Sequence, residues 1–472
     1  MVYIVYLASI AAVMVSLRAS PGRALISVYL PVLLLIPNAF RAITPGIPDP
    51  TFNQAAILPI LLFAVLRYGH RWRPSFTDLL VLALALLVGT SEYVAAGYDE
   101  AQNLIFDMLA SVLAPYAVAR LCVATADMDV ALAKRTVILV FVVALVGVFE
   151  FRFGWNPFIT LIGKFFPGQG TGWVTTFRYG VARVAGPYSH AILAGVVMAL
   201  AYRLARWLQW GGHWQERFSR LQWLPWSKAQ VICATLLAGS VMTIARGPWL
   251  GALVGALPAM VGRARNRRRV LSVVAVLLLV VGPLGWAAMN AYLDVRPGAE
   301  MTMSQESALY RKVLVEKYID IALQHAALGW GRVTWPKVPG MSSIDNYFLL
   351  LVLMHGFIAL ALLVALFVWQ GLRLMRRGMS ESREANSLAF TFVGMLLVVL
   401  VSVVTVYLGE QVLPILFLVF GWSEAWLQRA RVPSVGVAGR APGQPAGRPT
   451  EDSPKRPPAA GESRQRRFRV IR

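Results

Sequence analysis

Apolar residues in this chain run in long blocks separated by short polar connectors, without the brief periods of soluble helices or strands. Thirteen blocks stand out, near 2–17, 24–40, 54–67, 77–97, 104–120, 136–153, 184–202, 229–244, 247–262, 270–291, 346–370, 387–405 and 408–427. Most are long enough, as helix, to cross about 30 Å of hydrocarbon. The first, third and eighth are short, so twelve to thirteen spans are expected. The fold class predicted is all-α: a polytopic transmembrane helical bundle. The first block lacks a basic leader and a cleavage signal, which predicts a retained helix.

Charge then orders the connectors. Arginines and lysines cluster in alternate ones: Arg18/Arg23, Arg67/Arg71/Arg73, Arg120/Lys134/Arg135, Arg203 to Lys228, Arg263 to Arg269, and Arg373 to Arg383. The positive-inside rule makes these cytoplasmic. The N-terminus then lies outside and the C-terminus inside, which predicts a multi-pass protein of a bacterial inner membrane. The connectors 41–53, 98–103, 154–183, 245–247, 292–345 and 406–407 become extracytoplasmic. Residues 1–153 therefore form N-terminal membrane helices, and 154–183 an outer loop. Residues 184–291 form a second helical group, 292–345 a large outer loop, and 346–428 the C-terminal helices. The tail at 429–472 is rich in Pro, Gly and Arg and has too little apolar content to build a core, so disorder is expected there.

Hydrophobic residues make up 57% of 472 positions and charged ones 14%. A soluble protein of this length would need more charge to cover its surface. The net charge of +22 invites a nucleic-acid reading, but its placement between spans fits topology and anionic lipid instead. Membrane lipids are the expected partners, with no nucleic acid. Two cysteines, Cys122 and Cys233, supply neither a disulfide framework nor a metal set. No nucleotide loop or HExxH occurs, so no cofactor and no metal are expected.

Two outer loops carry the candidate chemistry. The first, 154–183, is rich in glycine and aromatics. In the second, Thr302 to Gln305 resembles a capping box. Behind it, Tyr310, Leu314, Tyr318, Ile321, Ala322 and His325 share one helical stripe, with Arg311, Lys312, Glu316 and Asp320 opposite. This predicts an amphipathic helix lying over the bundle.

Arg183 is read as opening the seventh span, and Arg246 as occupying a tight outer turn. A guanidinium there runs against the topological bias, and its planar fork suits phosphate. Each could equally reach lipid phosphate or a loop carboxylate. Asp345 and Asn346 begin the eleventh span. They suit either a helix cap or, for Asp345, a general base. His190 and His355 are read as lying within spans, with His355 expected to be a packing histidine. Arg178, Lys164, Arg332 and Lys337 add to a positive outer field. Glu150 could pair with Arg152 or meet lipid, and Glu410 could balance an arginine.

Three motifs then carry a resemblance: RVAGPYSHAILAG at 183–195, TIARGPWLGALVGAL at 243–257, and a run from Arg311 through LGWGR to DNYFLLLVLMHGFIAL. In their order, roughly over 140–370, the chain resembles the O-antigen ligase/polymerase family of bacterial membrane glycosyltransferases. The resemblance implies a metal-independent, inverting transfer from an undecaprenyl-diphosphate-linked glycan donor at the periplasmic face. The acceptor would be a glycan or a lipid, and other polysaccharide-assembly proteins are conceivable partners. Arg183 and Arg246 would hold the diphosphate, and Arg311, Arg332 and Asn346 would be secondary substrate contacts. Asp345 and His190 are the candidate catalytic residues. Ligases of the family typically place histidine where Asp345 stands. That favours a polymerase of O-antigen or exopolysaccharide units over a ligase. A polysaccharide transporter is the reading from another class. It would need polar residues through the middle of the membrane, whereas the strong charges gather at the outer face.

Overall fold

The computed structural model describes residues 2–43, 48–214, 217, 225–293, 302–341, 343–382, 385–409 and 411–429. Glu410 and the expected disordered tail beyond Arg429 lie outside these. Fifteen helices form among the described residues: α1 Tyr6–Arg18, α2 Pro21–Leu35, α3 Phe52–Tyr68, α4 Phe76–Ala96, α5 Tyr98–Cys122, α6 Ala126–Phe153, α7 Pro157–Gly163, α8 Ala191–Trp210, α9 Lys228–Met242, α10 Arg246–Arg263, α11 Arg267–Leu293, α12 Met303–Gln324, α13 Tyr347–Ser380, α14 Leu388–Ser402 and α15 Val412–Arg429. The only sheet described is a hairpin, β1 Phe177–Arg178 with β2 Val181–Ala182.

Each of the thirteen apolar blocks is matched by a helix, and seven helices are long and apolar enough to span a membrane: α3 (with the 3-10 turn after it), α4, α5, α6, α8, α11 and α13. The protein is an all-α, multi-pass membrane protein. Polar caps start the helices where side chains can satisfy the first free N–H groups. Ser75 with Asp78 does so at α4, Ser227 with Gln230 at α9, and Thr302 with Gln305 at α12.

Two boundaries differ from the hydropathy reading. The seventh span starts at Ala191 rather than 184, because Gly186 adopts φ 59° and turns the chain before Pro187. The connector expected at 98–103 is helical, since α5 begins at Tyr98 directly after Gly97, which ends α4 at φ 80°.

Two packing devices set the site's geometry. α10 lies against α14 along a ridge of small residues, which lets the backbones approach closely. A Cβ on Gly255 would stand 2.6 Å from the Gly394 carbonyl oxygen, and one on Gly251 2.8 Å from that of Val398. The second device is a break in α13 at Gly356 (φ 77°, ψ 174°). Such a break frees backbone groups, which must find partners within the protein. The loop after α12 supplies them. Trp330 N donates to the Leu353 carbonyl at 2.8 Å, Gly331 N to Met354 at 2.9 Å, and Phe357 N to Ala326 at 2.7 Å.

Of the stripe expected on α12, Leu314, Tyr318 and Ala322 are buried and pack with Met341, Ile344, Leu349 and Leu353 in a small core of their own, Tyr310 and Ile321 are partly buried, and His325 is exposed just past the helix end. At the opposite end of the bundle, Glu424 is fully buried. It binds the Arg373 guanidinium at 2.5 Å, and Arg120 binds Asp78 at 2.5 Å beside it.

Candidate functional site

The candidate site is built where α6, α9 and α14 end and α8, α10 and α13 begin. Its first wall is the irregular segment 183–190, which turns at Gly186 and is held by contacts from several elements. Fully buried Glu150, near the end of α6, accepts from Gly186 N at 2.8 Å and Ala185 N at 3.3 Å. Its pairing with Arg152, one of the expected options, is not formed. Asn156 donates to the Gly186 carbonyl and Gln411 to that of Pro187, both at 2.7 Å. Val184 N donates to the Met242 carbonyl at the end of α9 (3.2 Å). Arg183 therefore does not open the span but stands on a rigid strap ahead of it.

The second wall is the turn 243–246. Arg183 Nε donates to the Thr243 carbonyl at 3.0 Å, and the Arg178 guanidinium donates to that of Ile244 at 3.3 Å. Ile244 has φ 47°, a strained backbone for a β-branched residue. The hairpin reaches it through its tip: Tyr179 and Gly180 both take positive φ, as a two-residue turn of this kind requires. The Tyr179 hydroxyl then accepts from Arg246 at 2.9 Å. Arg246 is exposed at the first turn of α10, whose preceding Ala245 makes no side-chain cap. The start of a helix presents the positive end of its dipole, which favours an anion.

Arg183 is half-buried, and burial with repulsion from Arg178 lowers its guanidinium to about 10, still charged at neutral pH. Two cations held together and partly dehydrated favour an anion that relieves both penalties.

His190 is not inside a span but caps α8, its Nδ1 accepting from Ile192 N at 3.1 Å. Burial lowers its pKa most, Arg183 lowers it further, and the Asp345 carboxylate acts in the opposite sense. The ring thus feels both charges. With Nδ1 engaged as an acceptor, the neutral ring carries its proton on Nε2 and presents a donor.

Asp345 accepts from the Ser343 hydroxyl at 2.7 Å, and Asn346 caps α13. Tyr347 N donates to the Val403 carbonyl at the end of α14 (2.9 Å). Tyr310 donates to the Ser343 carbonyl at 2.7 Å, which brings α12, and Arg311 beside it, to the same loop. Arg332 lies elsewhere. Its backbone N donates to Glu92 at 2.9 Å, its Nε lies 3.5 Å from the same carboxylate, and it lines a cavity between α4, α5 and α13. His355 is buried against Ser91 at 2.6 Å, a packing histidine. Glu150, Asn156 and Gln411 were not foreseen as supports. A glutamate inside an apolar block was their one visible signal.

A polytopic bundle with a cationic strap-and-turn site at one end is the class these features define. Residues 231–364 match a family model described as O-Antigen ligase, the family that the three motifs predict. The match takes in Arg246, Arg311, Arg332 and Asp345, while Arg183 and His190 precede it. It supports a glycan-processing membrane enzyme of the O-antigen ligase/polymerase type. Comparison with curated proteins gives no match.

Proposed function

We propose that the protein polymerises glycan repeat units carried on undecaprenyl diphosphate, at the periplasmic face of the inner membrane. The observation that carries this reading is the tie between the Arg183 strap and the Arg246 turn, with His190 capping the helix that follows the strap. In the proposed step an acceptor hydroxyl attacks the anomeric carbon and the bond from that carbon to the diphosphate oxygen breaks, inverting the configuration. The hydroxyl proton passes to the Asp345 carboxylate. The electron pair leaves with the lipid diphosphate, whose charge Arg183, Arg246 and the positive dipole end of α10 stabilise. Nε2–H of His190 donates to the same phosphates or to the transferred sugar. The chain's own residues supply the acid–base and electrostatic work.

The test is reconstitution of the purified protein with an undecaprenyl-diphosphate-linked repeat unit, followed by product sizing. Wild type lengthens the glycan. Arg183→Ala and Arg246→Ala each lower turnover by about 10²–10³ with insertion intact. A normal chain-length distribution in both variants removes the site. Turnover only with a finished glycan and a different lipid acceptor favours the ligase.

A further inference from the structure

A second polar assembly lies beside the arginine site. α3, α4, α5, α13 and α15 enclose a cavity of about 410 Å³. Much of its lining is apolar, Val112, Leu363 and Phe417 included, with buried Ser111 and His355 among them. The rest of the lining is polar, from Asn38, Arg41, Gln54, Asp107, Arg332 and Tyr407.

The two carboxylates there are already engaged. Asp107 accepts from Gln54 Nε2 at 2.7 Å, and Glu92 holds Arg332. Arg41, Asp107 and Arg332 line this one cavity together. The Arg41 backbone is fixed by a pair of hydrogen bonds with the Gln169 side chain (2.9 and 3.1 Å) and by a bridge to Thr51. No hydrogen bond engages its guanidinium among the described residues.

This lining suits neither a free sugar nor a bare anion. A leucine-walled depth would strip water from hydroxyls without replacing it, and a phosphate alone would make no contact suited to the amides or the Asp107 carboxylate. An amphiphile uses all of it: one apolar chain in the depth, a phosphate at Arg41, and sugar hydroxyls at Asn38, Gln54 and Asp107. The cavity also opens on the reaction end. The Tyr407 hydroxyl bonds the Ser189 hydroxyl at 2.7 Å, next to His190, and Tyr347, which follows Asp345 and Asn346, lines the cavity too.

We propose that this cavity seats a second isoprenoid-phosphate-linked glycan, the acceptor, so that its terminal hydroxyl meets Asp345 opposite the donor at Arg183 and Arg246. The proposal rests on the donor reading above. It assigns Arg41, Gln54 and Asp107 as acceptor contacts.

The test is native mass spectrometry of the full-length protein in detergent, titrated with undecaprenyl diphosphate, with thermal unfolding as the folding control. Wild type binds two equivalents. Arg41→Ala (an exposed position) and Leu351→Trp, which fills the cavity, each lose one and keep the other. Arg183→Ala loses the complementary one, and Arg41→Ala/Arg183→Ala loses both. A single wild-type equivalent, lost in Arg183→Ala but kept in Arg41→Ala and Leu351→Trp, overturns the cavity proposal and leaves the donor site standing. Two equivalents unaffected by Arg183→Ala overturn the donor reading instead. Phosphatidylglycerol filling the Arg41-dependent place as well as the isoprenoid does makes it a structural lipid seat, and also overturns the proposal.

Discussion

At the scale of single residues, the site depends on what each polar group already holds. Arg183 spends its Nε on the Thr243 carbonyl, so a fork that both braces the turn and meets phosphate is not replaced by an ammonium. Arg183→Lys should therefore show most of the Arg183→Ala deficit, whereas Arg246→Lys, at an exposed helix start, should retain more turnover. Steady-state rates of the two lysine variants check this.

His190 makes a pH prediction. Its folded pKa is lowered, chiefly by burial and then by Arg183, so the unfolded chain binds the proton more readily. Stability is then fully present above about 6.5, the unfolded value, and falls as pH drops below it. His190→Gln should remove that part of the acid destabilisation in unfolding curves measured from pH 7 to 5. Above pH 7 the ring is already neutral, so the variant's rate profile there should parallel that of wild type.

At the scale of elements, helices carry the charges to their places. α10 brings Arg246 to the site because its glycine ridge sits on α14, and α14 in turn holds the start of α13 through Val403. Gly255→Leu should separate the pair at a cost of about 1–3 kcal/mol and lower activity, although no arginine is touched. Chemical unfolding in detergent and turnover per folded molecule test both halves. The break in α13 is equally specific. Gly356 needs positive φ and has the Ala327 carbonyl where a Cβ would stand. Gly356→Ala should release the Trp330–Arg332 loop, raising proteolytic cleavage there more than at the cores of α6 or α8.

At the scale of the whole molecule, the two ends are built for different tasks. Arg373 and Arg120 balance Glu424 and Asp78 in a closed network at one end. At the other, Arg178 and Arg183 face each other across a turn with no carboxylate ion-paired to them among the described residues. Removing one member of a buried pair leaves an uncompensated charge, so Glu424→Leu should destabilise by about 3–5 kcal/mol. Activity per folded molecule should stay close to wild type.

Much of this architecture is local and so was legible. Apolar block length marked the helices. Alternating charge put Arg183, Arg246 and Asp345 at one end, and the structure keeps the strap, the turn and the α13 start together there. The stripe on α12 buried Leu314, Tyr318 and Ala322 as its spacing predicts, but left His325 exposed. Three things were not legible. The start of α8 was blurred because Val184 to Tyr188 are apolar enough to pass for helix, although Gly186 turns the chain. Glu150 looked like a lipid or arginine partner because nothing near it in sequence reveals two N–H groups arriving from a segment 35 residues away. The cavity was invisible because Arg41, Asp107 and Arg332 come from three separate parts of the chain. Hydropathy and charge are properties of neighbours along the chain, and they settled membrane insertion, helix order and sidedness of charge. Which guanidinium meets which carbonyl depends on how α6, α8, α9 and α10 pack, and only tertiary contact decides that.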